Sequence, residues 1–200
     1  MKRSRVFAGI FWIVLALGSF HATTLSPSSL CWGAEGTGAA TIEQISQHIE
    51  SRGVRMSEDK LNLVAQTVYE ESLRYNVDYR LVLAVIKVES DYRQHAVSAD
   101  GSRGIMQINP SLARGLAKEA GISYHGLKDL YDIRKNIRLG THYLSKVIEI
   151  FDEIPKALFA YSVGHHKAKR LLSADRTPHT RYTKRVIAEY KKNTEKLVSL

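Results

Sequence analysis

The stretch YRLVLAVIKVES, residues 79–90, decides the fold. Asp78 stands before it as an N-cap residue, neither Gly nor Pro interrupts it, and Val82, Val85 and Ile86 recur at helical spacing. The next position in that series is Glu89. A carboxylate therefore occupies a place where a core-facing stripe calls for an apolar side chain. It also falls in the last helical turn, where the negative end of the macrodipole disfavours ionisation. Partial burial acts in the same direction. Together they raise the carboxyl above its free pKa of about 4.3, toward what a general acid needs at neutral pH. Periodicity alone leaves a second reading open, a glutamate at a frayed helix end that reaches sideways to water.

Outward from this helix the pattern stays helical, with almost no two-residue alternation. Thr41–Arg52 is amphipathic and ends at Gly53. Ser57 is the expected N-cap of Glu58–Tyr75, whose apolar residues include Leu61, Val64, Ala65 and Val68. A polar loop, Asp91–Arg103, carries Asp100-Gly101 as a turn. A short segment, Gly104–Asn109, closes at Pro110, and Ser111–Ala120 reads as another helix. A polar loop then leads to Asn136–Phe151. Pro155 opens Lys156–Val163 with Gly164 as its stop, and Thr180–Lys196 is the last helix. No repeat and no strand stands out. The expected fold class is all-α, one compact domain over about residues 41–196.

The 200-residue chain, 44% hydrophobic and 24% charged, suffices for one core. Residues 1–34 stand apart from it. Lys2, Arg3 and Arg5 precede the apolar run Val6–Leu17, which is short for a membrane span, and small and polar residues follow. That is the layout of a secretory signal peptide and N-terminal linker, with imperfect cleavage points after Ala22 or near Gly33. An uncleaved signal anchor is the alternative. Cys31 follows Leu30 rather than the small residue of a lipobox, and it leaves the domain without a disulfide. Export to the periplasm or cell envelope makes nucleic acid a poor match for the net charge of +9; an anionic wall polymer fits better. Gly164-His165-His166-Lys-Ala-Lys-Arg170 places two histidines side by side, expected to point apart, with no acidic or cysteine ligand beside them. It reads as a basic solvated segment, and no metal is expected.

Glu89-Ser90 precedes Ala96-Val-Ser98, then Gly101-Ser-Arg-Gly104-Ile-Met-Gln-Ile-Asn-Pro110. Further on stand Asn136-Ile-Arg-Leu-Gly140-Thr-His-Tyr-Leu144 and Ala157-Leu-Phe-Ala-Tyr161-Ser-Val-Gly164. In this order and spacing the blocks resemble the soluble lytic transglycosylase family, whose fold is lysozyme-like. The resemblance covers about residues 62–190. It implies a single catalytic acid/base, Glu89, acting on the glycan strands of peptidoglycan without metal or cofactor. It further implies that Ser98, Met106 and Gln107 line the groove and contact an N-acetyl sugar, and that Tyr161 and Tyr182 pack against the carboxyl and hydrogen-bond it. Gly101 and Gly104 would let the backbone approach the glycan.

Three departures accompany the likeness. Ser162 stands where the family block has Asn, and a hydroxyl cannot make the amide's pair of hydrogen bonds. The acid before the C-terminal tyrosine is missing from Pro178-His179-Thr180-Arg181-Tyr182, and Asp132-Ile133 replaces Asp-Pro. Most glycosidases use two carboxylates, yet Asp91 falls on another helical face than Glu89, and Asp100, which could reach the site from its loop, is better explained by its turn. What the resemblance implies in place of a second carboxylate is a non-hydrolytic reaction: cleavage between N-acetylmuramic acid and N-acetylglucosamine with closure of a 1,6-anhydro ring. The expected state is a monomer. The competing reading is a wall-binding partner in an envelope-spanning secretion or conjugation apparatus, with weak or lost catalysis.

Overall fold

The structure, a computed structural model, describes residues 28–172 and 179–198. The basic segment and apolar run of residues 2–17 lie outside them, and so does the expected signal sequence up to residue 27. Among the described residues no helix is long and apolar enough to cross a membrane.

The described residues form eight α-helices: α1 (Ser28–Ser51), α2 (Glu58–Tyr75), α3 (Tyr79–Ser90), α4 (Pro110–Glu119), α5 (Ile133–Phe151), α6 (Ile154–Val163), α7 (His165–Leu171) and α8 (Arg181–Lys196). Among the described residues the only extended pairings are isolated bridges, Val97 with Arg103 and Arg103 with Ile108. The all-α expectation holds. Several boundaries fall where side-chain chemistry places them. Asp78 accepts from the Arg80 amide at the start of α3, and Thr180 accepts from the Thr183 amide at the start of α8. Gly164 ends α6 at φ 86°.

Other boundaries shift. α1 begins at Ser28 rather than Thr41, so part of the expected linker is helical. Gly38, a linker glycine by composition, lets α1 approach α2 so closely that a Cβ would stand 2.9 Å from the Tyr69 hydroxyl. Pro110 opens α4 instead of closing the preceding segment, because its missing N–H costs nothing at a first helical position. α5 starts at Ile133, capped by Asp132, which accepts from the Lys135 amide at 2.9 Å. A 3-10 turn, Leu127–Tyr131, occupies what reads as loop.

α3 is the axis of the core. Leu81, Val82, Leu83, Ala84, Val85 and Ile86 are all buried, so the middle of the helix is enclosed on every side and not along one stripe. α8 and α2 both pack against it, while α5 joins α2 to α6. Glu89 therefore does not interrupt a stripe. It follows the buried stretch, at the edge of a cleft.

Candidate active site

Two successive left-handed residues, Asp91 (φ 53°) and Tyr92 (φ 63°), turn the chain sharply at the end of α3. That turn leaves Glu89 at the wall of a cleft of about 410 Å³, shared with Ser98, Asp100, Gln107, Tyr143, Tyr161, Ser162 and Tyr182. The Tyr182 hydroxyl, from the first turn of α8, donates to Glu89 Oε1 at 2.7 Å. Burial pushes the Glu89 carboxyl up to about 7. The Tyr182 hydrogen bond and the Arg185 cation oppose this rise, and the negative charge of Asp100 adds to it. The carboxyl is poised to give a proton near neutrality and to take one back.

Behind the cleft wall, three hydrogen bonds from one side chain fix the loop that follows α3. Asn136 on α5 donates to the carbonyls of Leu130 at 2.8 Å and Arg103 at 3.0 Å, and accepts from the Met106 amide at 2.7 Å. Gly104 sits against the same group. A Cβ there would meet the Leu130 carbonyl at 2.1 Å and Asn136 Nδ2 at 2.3 Å. Gly104 thus serves an internal approach of backbone to side chain, not an approach to a glycan. Gly101 meets nothing within 4 Å and supplies the φ of 81° that its turn requires.

The expected site residues divide on inspection. Glu89, Ser98, Gln107, Tyr161, Ser162 and Tyr182 share the cleft. Met106 does not: it is fully buried, with its side chain filling the space left by Gly140, where a Cβ would lie 2.4 Å from its sulfur. Its contribution is its backbone. The Met106 carbonyl accepts the Tyr161 hydroxyl at 3.0 Å, so Tyr161 is anchored to the wall and the expected hydrogen bond to Glu89 falls to Tyr182 alone. Gln107, at φ 52°, donates its amide to the carbonyls of Gly104 at 2.8 Å and Ala96 at 3.1 Å, tying the loop to itself. Ser162 is exposed, and its hydroxyl donates to the Phe159 carbonyl of its own helix at 2.8 Å.

Beyond the expected site residues, Asp100 and Tyr143 also line the cleft. Asp100 does close a turn, with the Gly101 amide donating to the Ser98 carbonyl at 3.0 Å, yet its carboxylate also lines the cleft. Ser98 and Ser102 hydroxyls and the Asn109 amide donate to it and hold it below the usual carboxylate range. Tyr143 lies against Tyr161, the rings tilted by 39° with centroids 5.3 Å apart, and its hydroxyl accepts from the His165 amide at 3.0 Å. Its place as the tyrosine of the Asn-Ile block was the available signal. His165 and His166 open a further helix, α7. Their rings lie 4.1 Å apart rather than pointing away from one another.

A family model described as Transglycosylase SLT domain matches residues 66–183. The chain is 36% identical over 110 residues to the membrane-bound lytic murein transglycosylase E of Buchnera aphidicola subsp. Baizongia pistaciae, covering 52% of each protein. It is 31% identical over 103 residues to a transglycosylase of Enterobacteria phage PRD1, covering 52% of this chain and 36% of the phage protein. It thus spans about half, or less, of the relatives it matches. Among solved structures, an inactive glutamate-to-glutamine mutant of the lytic transglycosylase Slt from Pseudomonas aeruginosa superposes with a TM-score of 0.59 at 24% identity. That match covers 65% of this chain and 24% of the mutant. The 70 kDa soluble lytic transglycosylase from Escherichia coli gives 0.56 at 24% identity, over 68% of this chain and 26% of its own. These likenesses establish the lysozyme-like fold.

Proposed function

This chain belongs to the transglycosylase SLT family, and from that premise we propose that it is a peptidoglycan lytic transglycosylase with Glu89 as its single acid/base. The observation that carries the reading is one carboxyl, raised to about 7 by burial, in a cleft beside a tyrosine that hydrogen-bonds it. Glu89 protonates the glycosidic oxygen between N-acetylmuramic acid and N-acetylglucosamine. The acetamido carbonyl of the substrate supports the developing cation. The Glu89 carboxylate then removes the proton from the C6 hydroxyl, whose oxygen closes the 1,6-anhydro ring. Tyr182 donates to the carboxylate at this second stage, when the charge needs stabilising. The inactivity of the glutamate-to-glutamine Slt mutant from Pseudomonas aeruginosa is consistent with such an acid. Ser98, Gln107, Tyr161 and Ser162 form the walls that hold the sugars. We assign this activity to residues 41–196 and export to residues 1–34, and the membrane-bound murein relatives favour a place in the cell envelope. A non-catalytic, wall-binding role has no use for a carboxyl that titrates near neutrality.

Asp100 favours one rival chemistry. An ionised second carboxylate across the same cleft could hold a water, giving hydrolysis as in two-carboxylate glycosidases. Mass spectrometry of fragments released from purified sacculi separates the two. The expected products end in 1,6-anhydromuramoyl groups, and fragments heavier by one water would replace the transglycosylase with a hydrolase.

The two neighbours of Glu89 should move its titration in opposite directions. Tyr182→Phe removes a hydrogen bond that favours the carboxylate, so the alkaline limb of kcat/KM should move to higher pH. Asp100→Asn removes a repelling charge, so the limb should move to lower pH. Limbs displaced in the same direction would break the assignment of Glu89 as the titrating acid.

A further inference from the structure

The cleft is not the largest concavity among the described residues. A cavity of about 800 Å³ lies between the turn joining α1 to α2, Gly53 to Ser57, and the loop from Asp91 to Val97. It shares no lining residue with the cleft, yet the chain passes from Val97 in one wall to Ser98 in the other. Three cations, Arg55, Lys60 and Arg93, face this cavity. None of them forms an ion pair with a described residue. Arg55 and Lys60 are exposed. Arg93 is held by its Nε, which donates to the Ser90 carbonyl at 2.8 Å, leaving the rest of the guanidinium for a ligand. The cavity's one acid, Asp91, is neutralised by Lys87.

Charge is half of the pattern. Val54, Met56 and Val97 supply apolar wall between the cations, and Val97 is 53% exposed with nothing covering it. Unpaired guanidinium and ammonium groups call for carboxylate or phosphate. A phosphate polymer would leave the apolar wall unused. A peptide with carboxylates and small apolar side chains uses both the cations and the wall.

We infer that this cavity is a second binding site, for a short acidic peptide with small apolar side chains. On the activity proposed above, on which this identification rests, the ligand is the stem peptide borne by the same wall polymer. Consecutive stretches of one loop would then hold the glycan and its peptide.

The test is a titration of N-acetyl-L-Ala-γ-D-Glu-meso-diaminopimelate-D-Ala into the Glu89→Gln protein, followed by amide NMR shifts. Shifts are expected across the turn at 53–57 and the loop at 91–97. The Arg55→Ala/Lys60→Ala double variant should bind roughly tenfold more weakly, the loss expected for two rim charges. Inorganic phosphate at the peptide's concentration should not displace it. Shifts confined to the cleft, unchanged affinity in the double variant, or displacement by phosphate would each overturn the site. A protein that binds the peptide here but releases nothing from sacculi would retain this site and lose the proposed activity. One that releases fragments yet shows no peptide binding would do the reverse.

Discussion

Replacing Glu89 by glutamine is expected to lower the release of fragments from purified sacculi by about 10³-fold or more, without disturbing the helical fold. Glutamine keeps the volume and can still meet the Tyr182 hydroxyl, so α3 and α8 lose no packing. It can neither give the proton to the leaving oxygen nor take one from C6. A thermal consequence accompanies the kinetic one. The Glu89 carboxyl titrates at about 7 in the folded protein against 4.5 without its surroundings, so the unfolded chain releases the proton first as pH rises. Below about pH 4 both states hold it and Glu89 has no linked effect on stability. Between those two values the native state binds more protons than the unfolded one, and stability falls with pH, by at most about 3 kcal/mol. Glutamine never ionises. The variant should therefore melt several degrees above the wild type at pH 8, with that advantage vanishing at pH 4. Turnover at the wild-type rate would remove Glu89 as the acid, and a stability difference independent of pH would remove its raised pKa.

Much of this was legible because capping and breaking residues act locally. Asp78, Thr180 and Gly164 satisfy or end backbone ladders within a few residues of themselves, so α3, α6 and α8 could be bounded to within about two residues. The blocks around Glu89 likewise contain Ser98, Gln107, Tyr161 and Ser162, which share its cleft. What stayed hidden depends on which way a side chain faces once the chain has folded. Met106 belongs to a functional block, but only the missing Cβ of Gly140 on another helix decides that its sulfur turns inward. Tyr161 was assigned to the carboxyl, and its hydroxyl goes to a carbonyl that no local pattern announces. Asp100 has a sufficient local explanation in the Asp-Gly turn, and only the fold shows that its carboxylate also lines the cleft. α7 was passed over because Gly164 ends one helix while His165 starts another.

The residue whose loss should harm the fold most is Asn136, and the reason is polar. Asn136 is buried, and it satisfies two carbonyls and one amide on the segments that frame the cleft. Leucine has the same branched heavy-atom skeleton, with bulkier methyl ends, and a better helix propensity, so α5 itself would favour Asn136→Leu. The three backbone groups would be left without a partner in a space already closed by Gly104. Each such group costs about 1–3 kcal/mol, so about 3–6 kcal/mol should be lost after the apolar gain of leucine. That rivals the whole stability of an ordinary domain. Asn136→Asp should fare no better, since a carboxylate accepts from the Met106 amide but only repels the two carbonyls. Urea denaturation followed by far-UV circular dichroism reads the effect directly. A leucine variant within 1 kcal/mol of wild type would mean that the loop is held by its own contacts, the paired Arg103 and Ile108 among them, and not by α5. The contrast with Glu89 is one of position relative to the cleft. Removing the charge at the cleft should stabilise the protein at alkaline pH and silence it, while removing the amide behind the wall should dismantle the cleft before any sugar can reach it.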